Sequence, residues 1–507
     1  MKPLPGCRLS QAWCPWSWPK SFRRDAYFVA TCFGLLIWLA GCEHATRETN
    51  GGGVPHSAAS TSNASNGAAE IQVHQRRSSE PKPNARPILD GAPTNEARMP
   101  APAAAALPRD TPTDSLTAAA AGKLATEALR SGDIDAAYQH ARVAMSQTPE
   151  DPQVIFLMAR VLGLRHRFPE AVRMLDRLAV AHPETRLPTL GQTSEWLVLH
   201  GDYAGAESRL RRILDDAPDA MMAHRALANL LLGLGRRLEA ADHLRTLCRQ
   251  GDIQESELLS LFHVSIPIAG TGVTEPLNDL AASLDLIAAN QLQEARRLLL
   301  ESSLHDADHN ALLGRVLVLL HDTKGLEEWI PNPNPDRSDS HTWFAMGAQH
   351  AWSGDHASAT RCFCEAVLQD PTDGQAYELL SRSLSELGQQ ESSHAAAERA
   401  ELIEQTQVIA AGLKPSADQR LAQIDELVQI LEQLGRRDEA LAWQSVQVLY
   451  GQSVLTKQQA IERMRQINQR RLELRQSGGF GPGDPFVVCG VELDGLVGGE
   501  LGRREAE

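Results

Sequence analysis

Aromatic residues make up only 5% of the 507-residue chain, and it contains no long run of lysine or arginine. The shortage of Phe, Trp and Tyr removes side chains on which sheet surfaces draw. Leu and Ala are plentiful, which favours helices. The formal net charge is −15. That balance argues against a nucleic-acid surface, whose affinity comes from clustered cations on phosphates. It argues equally against a polybasic membrane patch. The eight cysteines form no disulfide framework. Cys362 and Cys364 are the close pair, and two residues turn a helix by about 200°, so they read as small hydrophobes on opposite sides. No phosphate-cradling glycine loop, G-x-S-x-G elbow or H-E-x-x-H motif occurs. His305 with His309, and His350 with His356, come nearest to metal spacing, but in a chain with 17 histidines they read as scattered surface residues. Asp425, Glu426 and Glu432 read as a solvated helix face. No catalytic residue, metal or cofactor is therefore expected, and the chain is not read as an enzyme.

What is present begins with an export signal. Lys20, Arg23 and Arg24 precede an apolar run from Ala26 to Leu39, followed by Ala40, Gly41 and Cys42. A positive flank, a short apolar core and small residues at a cleavage point define a secretory signal. The run is shorter than the ~20 residues a spanning helix needs. Leu39-Ala40-Gly41-Cys42 resembles the lipobox of bacterial lipoproteins. The resemblance implies cleavage before Cys42, lipidation there, and firm membrane anchoring through two or three acyl chains. In that family Asp after the Cys often marks inner-membrane retention. Glu43 stands there instead, which favours the outer membrane facing the periplasm.

From 42 to 114 the chain is rich in Gly, Ser, Asn, Pro and Ala and has no apolar period. Such a stretch buries too little surface to offset ordering, so it reads as a disordered linker. A flexible-coil estimate gives a reach of roughly 45 Å.

Internal repetition starts near Ser115. Ala137, Ala171, Ala206 and Ala240 recur at 34, 35 and 34 residues, and Pro149, Pro183 and Pro218 keep step. Each unit reads as two helices around a Gly turn, as at Ser131-Gly132-Asp133. Later, Trp343, Gly347, Ala359, Phe363, Ala366 and Pro371 keep a repeat pattern, as do Tyr377, Leu380 and Gly388. These residues resemble the tetratricopeptide repeat (TPR) family. The resemblance covers about 115–450 and implies an all-α helix-turn-helix solenoid, a right-handed superhelix with a concave groove. About eight units are expected, with units 1–4 at 115–254, a loop insertion at 255–275, and degenerate and good units at 276–450. A polar capping helix is expected at 451–476 and a disordered tail at 477–507.

In TPR proteins the first helix of each unit lines the groove and meets a peptide. Carrying those positions over selects Arg160, Arg225, Asn229, His341, Phe344, Trp352 and Arg382. Arg225 with Asn229 resembles the basic-plus-Asn pair of carboxylate-clamp TPRs. Phe344 and Trp352 are candidate apolar anchors. The function implied is a lipid-anchored scaffold for protein or peptide partners at the cell envelope, with no nucleic acid. A second reading is the N-terminal part of a larger exported protein carrying an FG-GAP-type propeller and an ASPIC/UnbV-like module.

Overall fold

The computed structural model describes residues 116–269, 274–304, 306–331, 340–413, 417–451, 455–477 and 487–491. The signal peptide, Cys42, the linker and His305 lie outside them. The described residues form an all-α solenoid of helical hairpins, as the repeat pattern implies. No described helix is long and apolar enough to cross a membrane.

Nine hairpins follow one another among the described residues, where the repeat register gave about eight. They pair α1 (Ala118–Ser131) with α2 (Ile134–Gln147), α3 (Pro152–Leu164) with α4 (Phe168–Ala181), α5 (Arg186–His200) with α6 (Tyr203–Asp216), and α7 (Met221–Gly233) with α8 (Arg237–Gln250). A short helix, α9 (Glu255–Leu259), falls in the insertion. The pairing resumes with α10 (Asp279–Ala288) and α11 (Leu292–Glu301), then α12 (Ala307–Leu319) and α13 (Thr323–Glu328). It ends with α14 (Ser340–Trp352) and α15 (His356–Gln369), α16 (Gly374–Glu386) and α17 (Gln390–Ala411), and α18 (Ala417–Gln433) and α19 (Arg437–Tyr450). A closing helix, α20 (Lys457–Ser477), follows. The sixth hairpin, which the sequence shows as degenerate, is complete but has a second helix of only six residues.

A Gly–Asp pair makes three of the nine hairpin turns. Gly132, Gly201 and Gly354 take left-handed conformations that end the first helix. The next residue, Asp133, Asp202 or Asp355, accepts a backbone N–H at the start of the second. His166, Asn290 and His321 adopt the same left-handed geometry without glycine, at a cost of roughly 1–2 kcal/mol where no local compensation exists. The repeated alanines Ala137, Ala171, Ala206 and Ala240 are fully buried, so helices approach closely where a larger side chain would hold them apart. First helices of neighbouring hairpins touch, as in α1 with α3, α12 with α14 and α14 with α16. That contact puts them on the inner side of the array.

The stacking does not simply run from one end to the other. Both α19 and α20 pack against α8, more than 180 residues earlier. Arg475 donates to the Arg249 carbonyl, and Arg249 pairs with Asp438 at 3.5 Å. Arg471, only 4% exposed, donates to the Leu441 carbonyl and Ser445. Residues 487–491, read as part of a disordered tail, instead form a turn seated in the core. Val488 is buried, and the Tyr377 hydroxyl donates to the Val487 carbonyl at 3.0 Å while accepting from Arg399 at 2.9 Å.

Glycines inside helices separate packing from propensity. A Cβ on Gly347 would lie 2.6 Å from the Phe363 ring, whereas one on Gly191 meets nothing within 4 Å. Gly347→Ala should therefore destabilise the chain by about 1–3 kcal/mol through overpacking. Gly191→Ala should stabilise it by about 0.5–1 kcal/mol by lowering unfolded-state entropy. Denaturant unfolding of the two variants checks the opposite signs.

Candidate functional site

The insertion, expected as a loop, is core. Leu258, Leu261 and Phe262 are fully buried and Val264 is 1% exposed, because its apolar side chains fill the space between hairpins on both sides of it. Buried irregular backbone must find partners for its N–H and C=O groups, and here side chains supply them. Arg237, on α8, donates to the carbonyls of Val264 at 2.8 Å and His263 at 3.2 Å. Arg436, at the turn before α19, donates to the Leu261 carbonyl at 2.7 Å. Gln407, on α17, reaches the Phe262 and Thr372 carbonyls. The Val264 N–H donates to the Thr372 hydroxyl at 2.8 Å and the Ser265 N–H to Asp370 at 2.9 Å. The Phe262 ring stacks on Trp443 with centroids 5.6 Å apart.

Charge fixes both ends of this arrangement. Arg315 and Asp373 are both fully buried and joined by two bonds, of 2.6 and 3.0 Å. The guanidinium lies 4.1 Å over the Phe344 ring. Burial alone would push the Asp373 carboxyl up, but Arg315 outweighs it and holds it below the usual carboxylate range. Helix α9 bridges the two halves of the array. Its Glu257 binds Arg225 of α7 at 2.6 Å, and its Glu255 binds Arg420 and the Tyr450 hydroxyl, the latter at 2.7 Å.

The groove residues carried over from the repeat pattern separate into three groups. Phe344, Trp352 and Arg382 come together on one open channel of about 650 Å³, whose wall also includes Ile266, Pro267, Ile268 and Ala269 of the insertion. Phe344 is 1% exposed, so it is the floor of that channel and not a projecting anchor. Trp352 is 41% exposed, its ring near His321, and Arg382 pairs with Glu378. His341 lines a smaller cavity of about 70 Å³ on the α8 side of the insertion. Its Nδ1 is enclosed without a partner, and burial together with nearby Arg315 pulls its pKa down to about 3.

Arg160, Arg225 and Asn229 lie in the second and fourth hairpins, away from the channel. Arg160 and Asn229 are half-buried. Arg225 corrects the expectation of a cation presented to a partner carboxylate: Glu257 of the same chain already takes it. Among the described residues no group of three or more His, Cys, Asp or Glu could hold a metal. Cys362 and Cys364 are buried and free.

Sequence reasoning missed the residues that hold the insertion. Asp370 and Asp373 look like ordinary helix-start residues. Arg315 did carry a signal, as a lone cation inside the apolar run Ala311–Leu320. Glu195, at the position in α5 equivalent to Arg160 and Asn229, was also missed. Burial raises its pKa to about 7, against the opposing hydrogen bond from Gln192.

No family model matches the sequence, and no curated protein does. Among solved structures, the chain is similar to a tetratricopeptide repeat protein from Parabacteroides merdae, with TM-score 0.27, 11% identity, and coverage of 53% of this chain and 98% of that one. It is also similar to a chain of the APC/C hetero-tetramer Cut9–Hcn1, with TM-score 0.23, 16% identity, and coverage of 69% and 78%. The fold assignment rests on the hairpins themselves.

Two consequences are measurable. Asp373→Ala should cost about 3–5 kcal/mol, since it leaves a buried guanidinium uncompensated, and chemical denaturation reads it directly. His341 has a folded pKa depressed from 6.5 to about 3. Between those values the unfolded chain binds more protons, so stability falls on acidification through that window. His341→Gln should flatten the melting temperature against pH there relative to wild type.

Proposed function

We propose that this protein is a non-catalytic scaffold, lipid-anchored through Cys42 to the bacterial envelope, with the outer membrane facing the periplasm as its favoured location. Its work is to hold protein partners by peptide segments. One observation carries this reading: the array already holds a non-helical segment of its own chain, using Arg237, Asp370, Thr372, Gln407 and Arg436 on main-chain groups. Side chains of stacked hairpins thus satisfy irregular backbone, which is the task a bound peptide segment would set at an unfilled part of the array. The anchoring part rests on Leu39-Ala40-Gly41-Cys42 behind its apolar run. The linker of about 70 residues would let the array search away from the lipid.

Labelled palmitate tests the anchor. Wild-type protein should take up label and partition with membranes, and Cys42→Ala should lose both. Equal labelling of the variant rejects lipid attachment at that residue. Crosslinking pulldown from the native cells, with Cys42→Ala as control, tests the scaffold. A reproducible protein partner lost from the control supports it, and recovery of no partner from wild type counts against it.

A further inference from the structure

We infer that His224 and His243 form a proton-operated latch in the fourth hairpin, closed while the pair carries at most one positive charge and opened when both rings are protonated. The latch is independent of the anchor and of the scaffold reading.

The geometry counts the protons. His224, on α7, is buried, and its Nε2 lies 3.0 Å from the Pro218 carbonyl in the turn after α6. A carbonyl oxygen only accepts, so that nitrogen carries a proton. In the neutral ring Nδ1 is then bare, and it faces Nδ1 of His243, on α8, at 2.9 Å. One proton fits between these two nitrogens, and in the neutral pair His243 donates it. Adding a proton at the far Nε2 of His243 makes a single cation and leaves the bond in place. Adding one more sets N–H against N–H and brings two cationic rings within 5.2 Å of each other. The bond between the helices is then lost, so the pair titrates as a unit.

The surroundings do not relieve the second charge. Burial is the main cause holding His243 below its ordinary pKa, followed by His224, and Arg211 on α6 adds to both. Asp242 and Glu239 on α8 pull the other way. Glu239, however, is already bound by Arg236 and Arg211, and Asp242 pairs with Arg245 at 3.3 Å. Among the described residues no third ligand completes a metal group around the two rings, so the ion this pair takes is a proton.

The latch sits where its opening has a consequence. Arg225, next to His224, binds Glu257 of α9. Arg237, the first residue of α8, donates to the His263 and Val264 carbonyls. Parting α7 from α8 at the histidine pair therefore moves two of the side chains that hold the insertion. The direction with pH follows from linkage. The unfolded chain takes up protons near 6.5 that the folded pair resists, so this hairpin loses stability as the pH falls below that value.

Hydrogen–deuterium exchange of the full chain at about pH 7.5 and about pH 5, on either side of the histidine range, tests the latch once corrected for the intrinsic effect of pH on amide exchange. Peptides from α7 and α8 are expected to exchange roughly fivefold faster or more at the lower pH, and those from α2 and α17 to change by less than about twofold. His243→Gln keeps a donor toward His224 without a titrating ring, and should abolish the acceleration. It should persist in His341→Gln, which separates it from the acid response of that enclosed ring. Circular dichroism shows whether each variant is folded, and the wild-type pattern decides the case even where one is not. No acceleration in α7 and α8, or equal acceleration in every helix, overturns the latch. So does acceleration that survives in folded His243→Gln, or that disappears in folded His341→Gln.

Discussion

The structure depends on how one irregular segment is satisfied inside a helical array. Helices bond their own backbone, so hairpins stack by side-chain packing alone. Residues 260–265 have no such internal ladder, and burying them unbonded would cost several kcal/mol. Arg237, Asp370, Thr372, Gln407 and Arg436 remove that penalty, and they come from hairpins that lie far apart in the chain. Each of those hairpins is thereby fixed relative to the insertion, and so to the others.

The loosened repeat spacing after Ala240 follows from the same constraint. The left-handed turn positions run at 132, 166, 201 and 235, then jump to 290 before resuming at 321, 354 and 388. A hairpin array tolerates this jump because the inserted residues are used as packing material. Gly233 and Gly235 bring α7's end against Leu277, Leu280 and Ala281, where the next hairpin begins, and the Leu277 N–H donates to the Gly233 carbonyl at 2.7 Å. The Glu257–Arg225 and Glu255–Arg420 pairs then tie the short helix to both flanks. Being only partly exposed, such pairs are less screened than surface ones, and they set position as much as they add stability.

Much of this fold was legible in the sequence, for a local reason. Ala and Gly at fixed spacing report contacts within a hairpin and with its neighbour, so Gly132, Gly201 and Gly354 could be placed as turns, and Ala137 and Ala171 as helix crossings, from their period alone. The insertion was illegible because its partners are distant: Val264 meets Thr372 and Ser265 meets Asp370, each more than 100 residues away. No local period encodes that. The candidate site was half legible on the same grounds. Phe344, Trp352 and Arg382 share a channel because they occupy inner-helix positions that the repeat defines. That Phe344 forms its floor, and that Arg225 is consumed by Glu257, depends on the insertion, which the repeat does not describe.

A groove filled in its middle by its own chain would bind differently from an empty one. The insertion occupies Arg237, Asp370, Thr372, Gln407 and Arg436, so a partner held beside it would gain few main-chain bonds while losing the usual association entropy. Affinity from such a surface alone would be modest. A scaffold working this way needs a second contact or a raised local concentration. On the inner helices of the first four hairpins, Arg160, Asn229 and Glu195 lie on equivalent positions of three units, and α7 meets the insertion at Arg225 and at Gly233. Their chemistry is polar and mixed in charge. A partner that used this surface together with a second contact would be held by the two jointly, and neither alone would hold it.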